Sequence, residues 1–301
     1  MAQYETGLFL YNGNAGNNDL EQKLTKTLPT ITKAINKLSV VQTKTIEEAK
    51  KTCVDHAGTV DIIIILGGDG TLHACINSIA QLEKRPIIGI LPGGTCNDFS
   101  RMIGTSQNLN QAAEGIAQGE VIDVDLGRSG DDYFLNFWGI GFISEASVNI
   151  DSDQKKSFGV LSYYMSTLRT VNQAESFSYQ ITNETDTYEG EAVLILVLNG
   201  RFMGAKELPI TTADPSDGKA DVLIIKTSNL ASFREFLSMN KPTTDPEQLS
   251  ELIHFQAETL EISTDQAKEV DMDGEVKGTT PASITVLPKH IRMIKGTEII
   301  K

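Results

Sequence analysis

Three cysteines in 301 residues are too few for a disulfide framework. Cys53, Cys75 and Cys96 are odd in number and none forms a CxxC pair, so no zinc knot is implied. They read as reduced thiols of a cytosolic protein. Long hydrophobic runs are missing too. The longest purely aliphatic one is Ile62–Leu66, against the roughly 20 residues a bilayer-spanning helix needs. The opening "MAQYETGLFLYNGN" has no basic stretch ahead of an apolar one, which argues against a secretory signal. Positive charge is scarce: Lys and Arg number 26 against 40 Asp and Glu, a formal net charge of −14. A bulk polyanion such as nucleic acid is therefore excluded as a partner. Two nucleotide signatures are absent as well, GxxxxGK[ST] and GxGxxG.

What is present is ordinary for a globular protein, with 40% apolar and 22% charged residues. The length suffices for two domains. The few cations gather in two places. Lys23, Lys26, Lys33, Lys37 and Lys44 enrich one early segment, and Lys155-Lys156 form a second spot. They read either as a lipid-docking patch or as a solvated face.

The first third alternates strands and helices. "GLFLY" (7–11) reads as a strand. Leu20, Leu24, Leu28, Ile31, Ile35 and Leu38 trace one helical face, with Pro29 expected to kink it or start a second helix. "LSVVQT" (38–43) reads as a strand and 46–57 as a helix. The strand Val60–Leu66, the helix Leu72–Leu82, the strand 85–91, a short helix at "NDFSRMIG" and the helix 108–119 follow. Continuous aliphatic strands alternating with helices predict a doubly wound parallel α/β domain, whose ligands bind at the carboxyl ends of the strands. From "VIDVDLG" (121–127) onward strands dominate. Helices are expected only at 157–171, 230–239 and 246–252. This second half predicts a β-sandwich.

One stretch at a strand exit carries chemistry: Gly67, Gly68, Asp69, Gly70 and Thr71. Glycines admit positive φ and let backbone N–H groups approach an anion. A helix N-terminus adds its dipole, and Thr71 is placed to be its N-cap. Asp69 beside phosphates calls for a bridging Mg²⁺ or a ligand hydroxyl. "ILPGGTCNDF" (90–99) repeats the design one βα unit later, with Gly93, Gly94 and Thr95 before Asn97-Asp98. The two loops are expected to line one crevice.

"GGDGT" followed by "PGGTCNDF" resembles the diacylglycerol-kinase catalytic-domain family, relatives of sphingosine kinases and more distantly of NAD kinases. "KKSFGVLSYYMSTLRTV" (155–171), "LNGRFMGAKELPITTADPSDGKADVLIIK" (198–226) and "DMDGE" (271–275) extend the likeness along nearly the whole chain. The resemblance implies an α/β nucleotide domain over residues 1–122, completed by 290–301. A β-sandwich domain would cover 123–289, with ATP in a cleft between the two. It implies that ATP meets Asn12, Gly13, Asn14, Ala15, Gly16, Thr43, Gly67, Gly68, Asp69, Gly70, Thr71, Leu72 and His73 from one side. Gly94, Thr95, Asn97 and Asp98 belong to the same set. It implies Mg²⁺ at Asp217, with main-chain oxygens of Asp214 and Lys219; the alternative there is a plain Asp-Gly turn. It implies Glu275 as proton acceptor, with Asp273 and Asp69 assisting. Side-chain alternation would put Asp273 and Glu275 on one strand face. The sequence departs from the family at Asn12-Gly13, where asparagine-proline is usual.

The expected function is an ATP-dependent lipid kinase. It would phosphorylate diacylglycerol to phosphatidic acid, in the cytoplasm and transiently at a membrane, with a homodimer as one assembly open to it. The alternatives are another lipid alcohol such as a sphingoid base, NAD, or a nucleotide-binding regulator without catalysis. "PGGTCNDF" disfavours NAD, and intact Asp69 and Glu275 disfavour the regulator.

Overall fold

A computed structural model describes residues 2–13, 19–141, 175–239 and 249–297. The chain divides into two compact units. Unit 1 is Met1–Val124 with Lys289–Lys301, and unit 2 is Asp125–Pro288.

Unit 1 begins with β1 (Tyr4–Asn12), α1 (Leu20–Ala34), β2 (Ile35–Thr43), α2 (Ile46–Ala57) and β3 (Ile62–Gly67). α3 (Asp69–Ala80), β4 (Ile87–Pro92), α4 (Asp98–Met102) and α5 (Leu109–Gln118) follow. The strands stand in the order β2-β1-β3-β4, all parallel. α1 lies beside α5, and α2 beside α3. Ile62, Ile63, Ile64 and Ile65 are all buried. A strand covered on both faces has no polar side to alternate with. Thr45 caps α2, its hydroxyl accepting from the Glu48 amide at 3.1 Å. Asn108 caps α5 in the same way.

Unit 2 opens with β5 (Val121–Ser129), which begins in unit 1, then β6 (Asp132–Phe134) and β7 (Phe137–Gly141). After residue 174 come β8 (Phe177–Thr182), β9 (Thr187–Ala192), β10 (Leu194–Leu198), β11 (Phe202–Met203), β12 (Lys206–Glu207) and β13 (Ala220–Ile225). Then follow α6 (Leu230–Ser238), β14 (Leu252–Ala257), β15 (Thr259–Thr264), β16 (Glu269–Met272), β17 (Glu275–Thr279) and β18 (Ala282–Ile294). One antiparallel sheet runs β14-β13-β10-β7-β16-β17. The other antiparallel layer is β15 between β18 and β8, with β9 outside β8. Trp138, Ile140, Val197, Val222 and Met272 from the first meet Tyr179, Ile181, Leu260, Ile262 and Ile284 from the second in one core. Tyr188 and Phe255 stack with ring centroids 4.1 Å apart and planes at 6°. The opposite face of the first sheet packs Leu196, Leu198 and Leu223 against Phe236 of α6.

β18 is 13 residues long. Its first part pairs with β15 in unit 2. Its last part returns to unit 1, where Met293 pairs with Ile88 of β4 in parallel. The segment beyond it docks there: the Lys295 and Gly296 amides donate to the Glu120 and Ile103 carbonyls, both at 2.8 Å.

Three expectations need correction. α1 runs through Pro29 unbroken, while Ile35 and Leu38 belong to β2. They continued the helical spacing only because Ile35 is buried in its strand. The helix expected at 246–252 is not found over its described part, where residues 249–251 are irregular and Leu252 opens β14. The apolar, aromatic "LIHFQA" pairs with β13 along its length. The end of the chain, patternless in sequence, is strand to Ile294. The helix expected at 157–171 lies outside the described residues.

Candidate functional site

The two glycine loops touch through their backbones. The Gly93 amide donates to the Gly67 carbonyl at 2.8 Å. A methyl built on Gly94 would stand 2.5 Å from the Gly68 α-carbon, and one on Gly68 would stand 3.0 Å from the Gly94 α-carbon. Positive φ is not what these glycines supply, since none of Gly67, Gly68, Gly70, Gly93 and Gly94 adopts it. Gly67, Gly68, Gly93 and Gly94 are needed for close approach.

Asp69 binds the loops together. Its Oδ2 accepts from the Asn97 amide and its Oδ1 from the Asp98 amide, both at 2.7 Å. The carboxylate of the first loop therefore caps the helix that follows the second. This accounts for an acid in a phosphate-type loop without requiring a metal beside it. The helix N-caps are Gly68 and Asn97, not Thr71 and Thr95. Asn97 adopts left-handed backbone at φ 53°. Its Oδ1 accepts from the Gly94 amide at 2.9 Å and its Nδ2 donates to the Gly94 carbonyl at 3.1 Å. The result is asymmetric. The N-terminus of α4 is occupied by Asp69, whereas the N-cap of α3 is Gly68, which has no side chain to cap it.

The other residues expected around a nucleotide are placed as follows. Thr71, Leu72 and His73 are buried on α3. Gly94 and Thr95 are exposed. Asn12 and Thr43 end neighbouring parallel strands in register. Thr43 is buried, and its hydroxyl donates to the Tyr11 carbonyl at 3.3 Å. The Gly13 amide donates to the Thr43 carbonyl at 2.9 Å. Asn14, Ala15 and Gly16 lie outside the described residues.

Lys23 departs from the docking-patch reading. Its side chain is only 17% exposed, and its ammonium sits 3.3 Å from Asp19 and 3.3 Å from the Gly93 carbonyl. Lys37 lies on β2, paired with Glu5 at 3.0 Å. Lys26, Lys33 and Lys44 are exposed, and Lys155 and Lys156 lie outside the described residues. Lys23, Lys26 and Lys33 lie on α1, whereas Lys37 lies on β2 and Lys44 just beyond it.

In unit 2 the turn "DMDGE" splits its three carboxylates. Asp273 and Gly274 both have positive φ, 53° and 93°, the left-handed pair that a tight hairpin requires. Asp271 is buried and accepts from the Gly274 amide at 2.7 Å. Asp273 accepts from the amides of Leu135, Asn136 and Phe137 at 2.7, 2.8 and 3.0 Å. It fixes the β6–β7 turn. Asp273 and Glu275 do not share a strand face by alternation, because Asp273 lies in the turn and not in a strand. Glu275 opens β17 and is exposed.

The loop 214–219 folds on itself. Asp214 accepts from the Ser216 amide at 3.0 Å and from its hydroxyl at 2.6 Å. Asp217 accepts from the Lys219 amide at 2.9 Å and from Gln256 at 3.3 Å. Burial, together with the charges of Asp214 and Asp221, raises the Asp217 carboxyl above the ordinary carboxylate range. No group of three or more His, Cys, Asp or Glu side chains among the described residues is arranged to hold a metal. A hard cation would draw on one carboxylate and main-chain oxygens. The crowding of negative charge around Asp217 fits such a cation.

Sequence reasoning missed the support beneath this loop. Asp125 is fully buried and accepts from the Gly218 amide at 2.6 Å. Asp221, also buried, accepts from His254 at 2.7 Å and from the Thr212 hydroxyl. The available signal was an aspartate inside an otherwise aliphatic strand, in "VIDVDLG" and "ADVLII".

The diacylglycerol kinase catalytic domain model matches residues 6–129, and the YegS C-terminal NAD kinase beta sandwich-like domain model matches 140–295. The chain belongs to the diacylglycerol-kinase catalytic-domain family. Proteins of Staphylococcus aureus strains JH9 and N315, each named "Putative lipid kinase", are 31% identical over 302 residues, covering 99% of both chains. The crystal structure of "a putative diacylglycerol kinase" from Bacillus anthracis str. Sterne superposes with a TM-score of 0.90 at 39% identity, covering all of both chains. Another diacylglycerol kinase structure from the same organism gives 0.82 at 35% identity, covering 99% of each.

The two units are thus the α/β catalytic domain and the β-sandwich domain of a lipid-kinase-type phosphotransferase. Membership in this family implies ATP as phosphoryl donor. Among the described residues no helix is long and apolar enough to cross a membrane.

Proposed function

We propose that this kinase transfers the γ-phosphate of ATP to the hydroxyl of diacylglycerol, giving phosphatidic acid at a membrane surface. The observation that carries the reading is the interlocked pair of glycine loops. Asp69 occupies the N-terminus of α4, while the N-cap of α3 is a glycine, Gly68, with no side chain of its own. Backbone N–H groups at Gly68–Thr71 then receive phosphate oxygens. The acceptor oxygen forms a bond to the γ-phosphorus, the bond to the β,γ-bridging oxygen breaks, and ADP leaves. Glu275 takes the hydroxyl proton. Of the three acids in its turn, it is the one whose carboxylate is exposed, while Asp271 and Asp273 hold backbone amides. Mg²⁺ would be held by the Asp217 carboxylate and main-chain oxygens of Asp214 and Lys219, and would supply positive charge there. Diacylglycerol is favoured as acceptor by the names of the B. anthracis neighbours.

The test is transfer of radiolabelled phosphate from ATP to a panel of diacylglycerol, a sphingoid base, other lipid alcohols and NAD, with Mg²⁺ or with chelator. Label is expected in phosphatidic acid with Mg²⁺ present. Label only in another acceptor would replace diacylglycerol with that acceptor. No transfer by folded protein would remove the kinase assignment for this chain.

A further inference from the structure

We propose that Lys23 is a phosphate ligand of the nucleotide, an inference that rests on the ATP site proposed above. Lys23 lies one turn into α1, the helix that follows the segment 12–16. Its ammonium reaches across to the Gly93 carbonyl at 3.3 Å. Gly93 is bonded to Gly67 at 2.8 Å, and its α-carbon substituent would stand 3.2 Å from the Gly67 nitrogen. Gly67 directly precedes Gly68, the N-cap of α3. The lysine is therefore bonded to a residue that is itself bonded to the loop at the start of α3.

The chemistry of the group fits. An ammonium carries three N–H donors. Among the described residues two have acceptors, the Gly93 carbonyl and Asp19, and the third can meet an incoming oxygen. Holding a lysine at 17% exposure restricts a side chain that ordinarily keeps its head in water. Its partners are a neutral carbonyl and the half-exposed Asp19 carboxylate, an ion pair that water screens. A triphosphate is a strong acceptor. The chain is acidic overall, at −14, so a polyanion needs local positive charge to stay bound. Asp69 adds a negative charge to the same loops, and Lys23 offsets it.

The experiment compares wild type, Lys23→Gln and Lys23→Arg in the full-length protein. Affinities for ATP, ADP and adenosine are measured by calorimetry, with adenosine read by competition. Folding is checked by thermal unfolding. A hydrogen-bonded charge on phosphate predicts that Lys23→Gln loses roughly ten- to hundredfold in ATP affinity. ADP should lose less and adenosine should not change. Lys23→Arg should recover most of the ATP affinity. Equal losses for all three ligands would make Lys23 a brace for the Gly93 loop and overturn the proposal. Unchanged ATP affinity would overturn it too. If wild type binds adenosine no more weakly than ATP, no phosphate subsite exists and the proposal falls. If wild type binds no adenine nucleotide, the ATP site itself fails, and that result is distinct from any loss seen only in the variants.

Discussion

Adding one methyl group at Gly94 should break the junction of the two glycine loops. The added carbon would lie 2.5 Å from the Gly68 α-carbon and 3.0 Å from the Asn97 Oδ1. Ordinary contact begins nearly 1 Å further out, and the opposing atom is backbone, which has no rotamer to change. Separation by that amount lengthens the 2.8 Å bond from Gly93 to Gly67 and pulls Asn97 and Asp98 from Asp69. Overpacking of this kind costs about 1–3 kcal/mol. That corresponds to a fall of about 3–10 °C in the unfolding transition of unit 1. ATP affinity should fall with it, since the loops present the amides. Gly115→Ala in α5 is the matched control. Nothing lies within 4 Å of its added carbon, and alanine in a helix is better than glycine by about 0.5–1 kcal/mol. Calorimetric unfolding and ATP titration of both variants decide the matter. If Gly94→Ala unfolds and binds like wild type, or Gly115→Ala is damaged equally, the interlock is not what these glycines are for.

Three further outcomes follow from unit 2. Glu275→Gln should lower turnover by roughly 10²–10⁴-fold with ATP affinity nearly unchanged, and full turnover would refute its role as base. Asp273→Ala should instead act through stability. It strips the amides of Leu135, Asn136 and Phe137 of their acceptor, at a cost of at least about 2 kcal/mol, and chemical denaturation of the variant would show this. Asp217→Asn should stabilise the metal-free protein at neutral pH. The Asp217 carboxyl is raised in the fold by burial and by neighbouring carboxylates, so the folded state binds its proton more tightly than the unfolded state. The penalty is therefore present above the raised value and vanishes below the ordinary carboxylate range. Melting temperatures in chelator at pH 7 should favour the asparagine, and at pH 3 the difference should be gone. The opposite sign at pH 7 would refute the crowding.

Much of unit 1 was legible because its strands are buried on both faces. Ile62–Leu66 carries no polar residue, and the glycine loops sit at strand exits. The bounds of α2 at Ile46–Ala57 followed from a threonine cap and clear spacing. What was not legible shares a cause: local pattern does not report what a side chain meets across the fold. Thr71 has the residue type of an N-cap, but Gly68 takes the position because the neighbouring backbone excludes a side chain there. Asp69 looked like a metal ligand or hydroxyl partner, and its two acceptor bonds run to residues 28 and 29 positions away. Asp273 looked like a second catalytic acid, while its partners lie more than 130 residues back. β14 was lost because "LIHFQA" is half-exposed at a sheet edge, with neither clean alternation nor a continuous aliphatic run.

The route of β18 has a consequence for biosynthesis. β4 receives its second parallel neighbour only when Met293 is made, after all of unit 2 has been translated. At about 5–20 residues per second the delay is roughly 10–30 s, far longer than strand pairing takes. Throughout that time the nascent first unit presents an unpaired strand edge, the feature on which chains most readily aggregate. A ribosome-associated chaperone that covers strand edges would therefore raise the yield of active protein. The same chaperone would matter less to a circular permutant that begins at residue 289, since there the closing strand is made first.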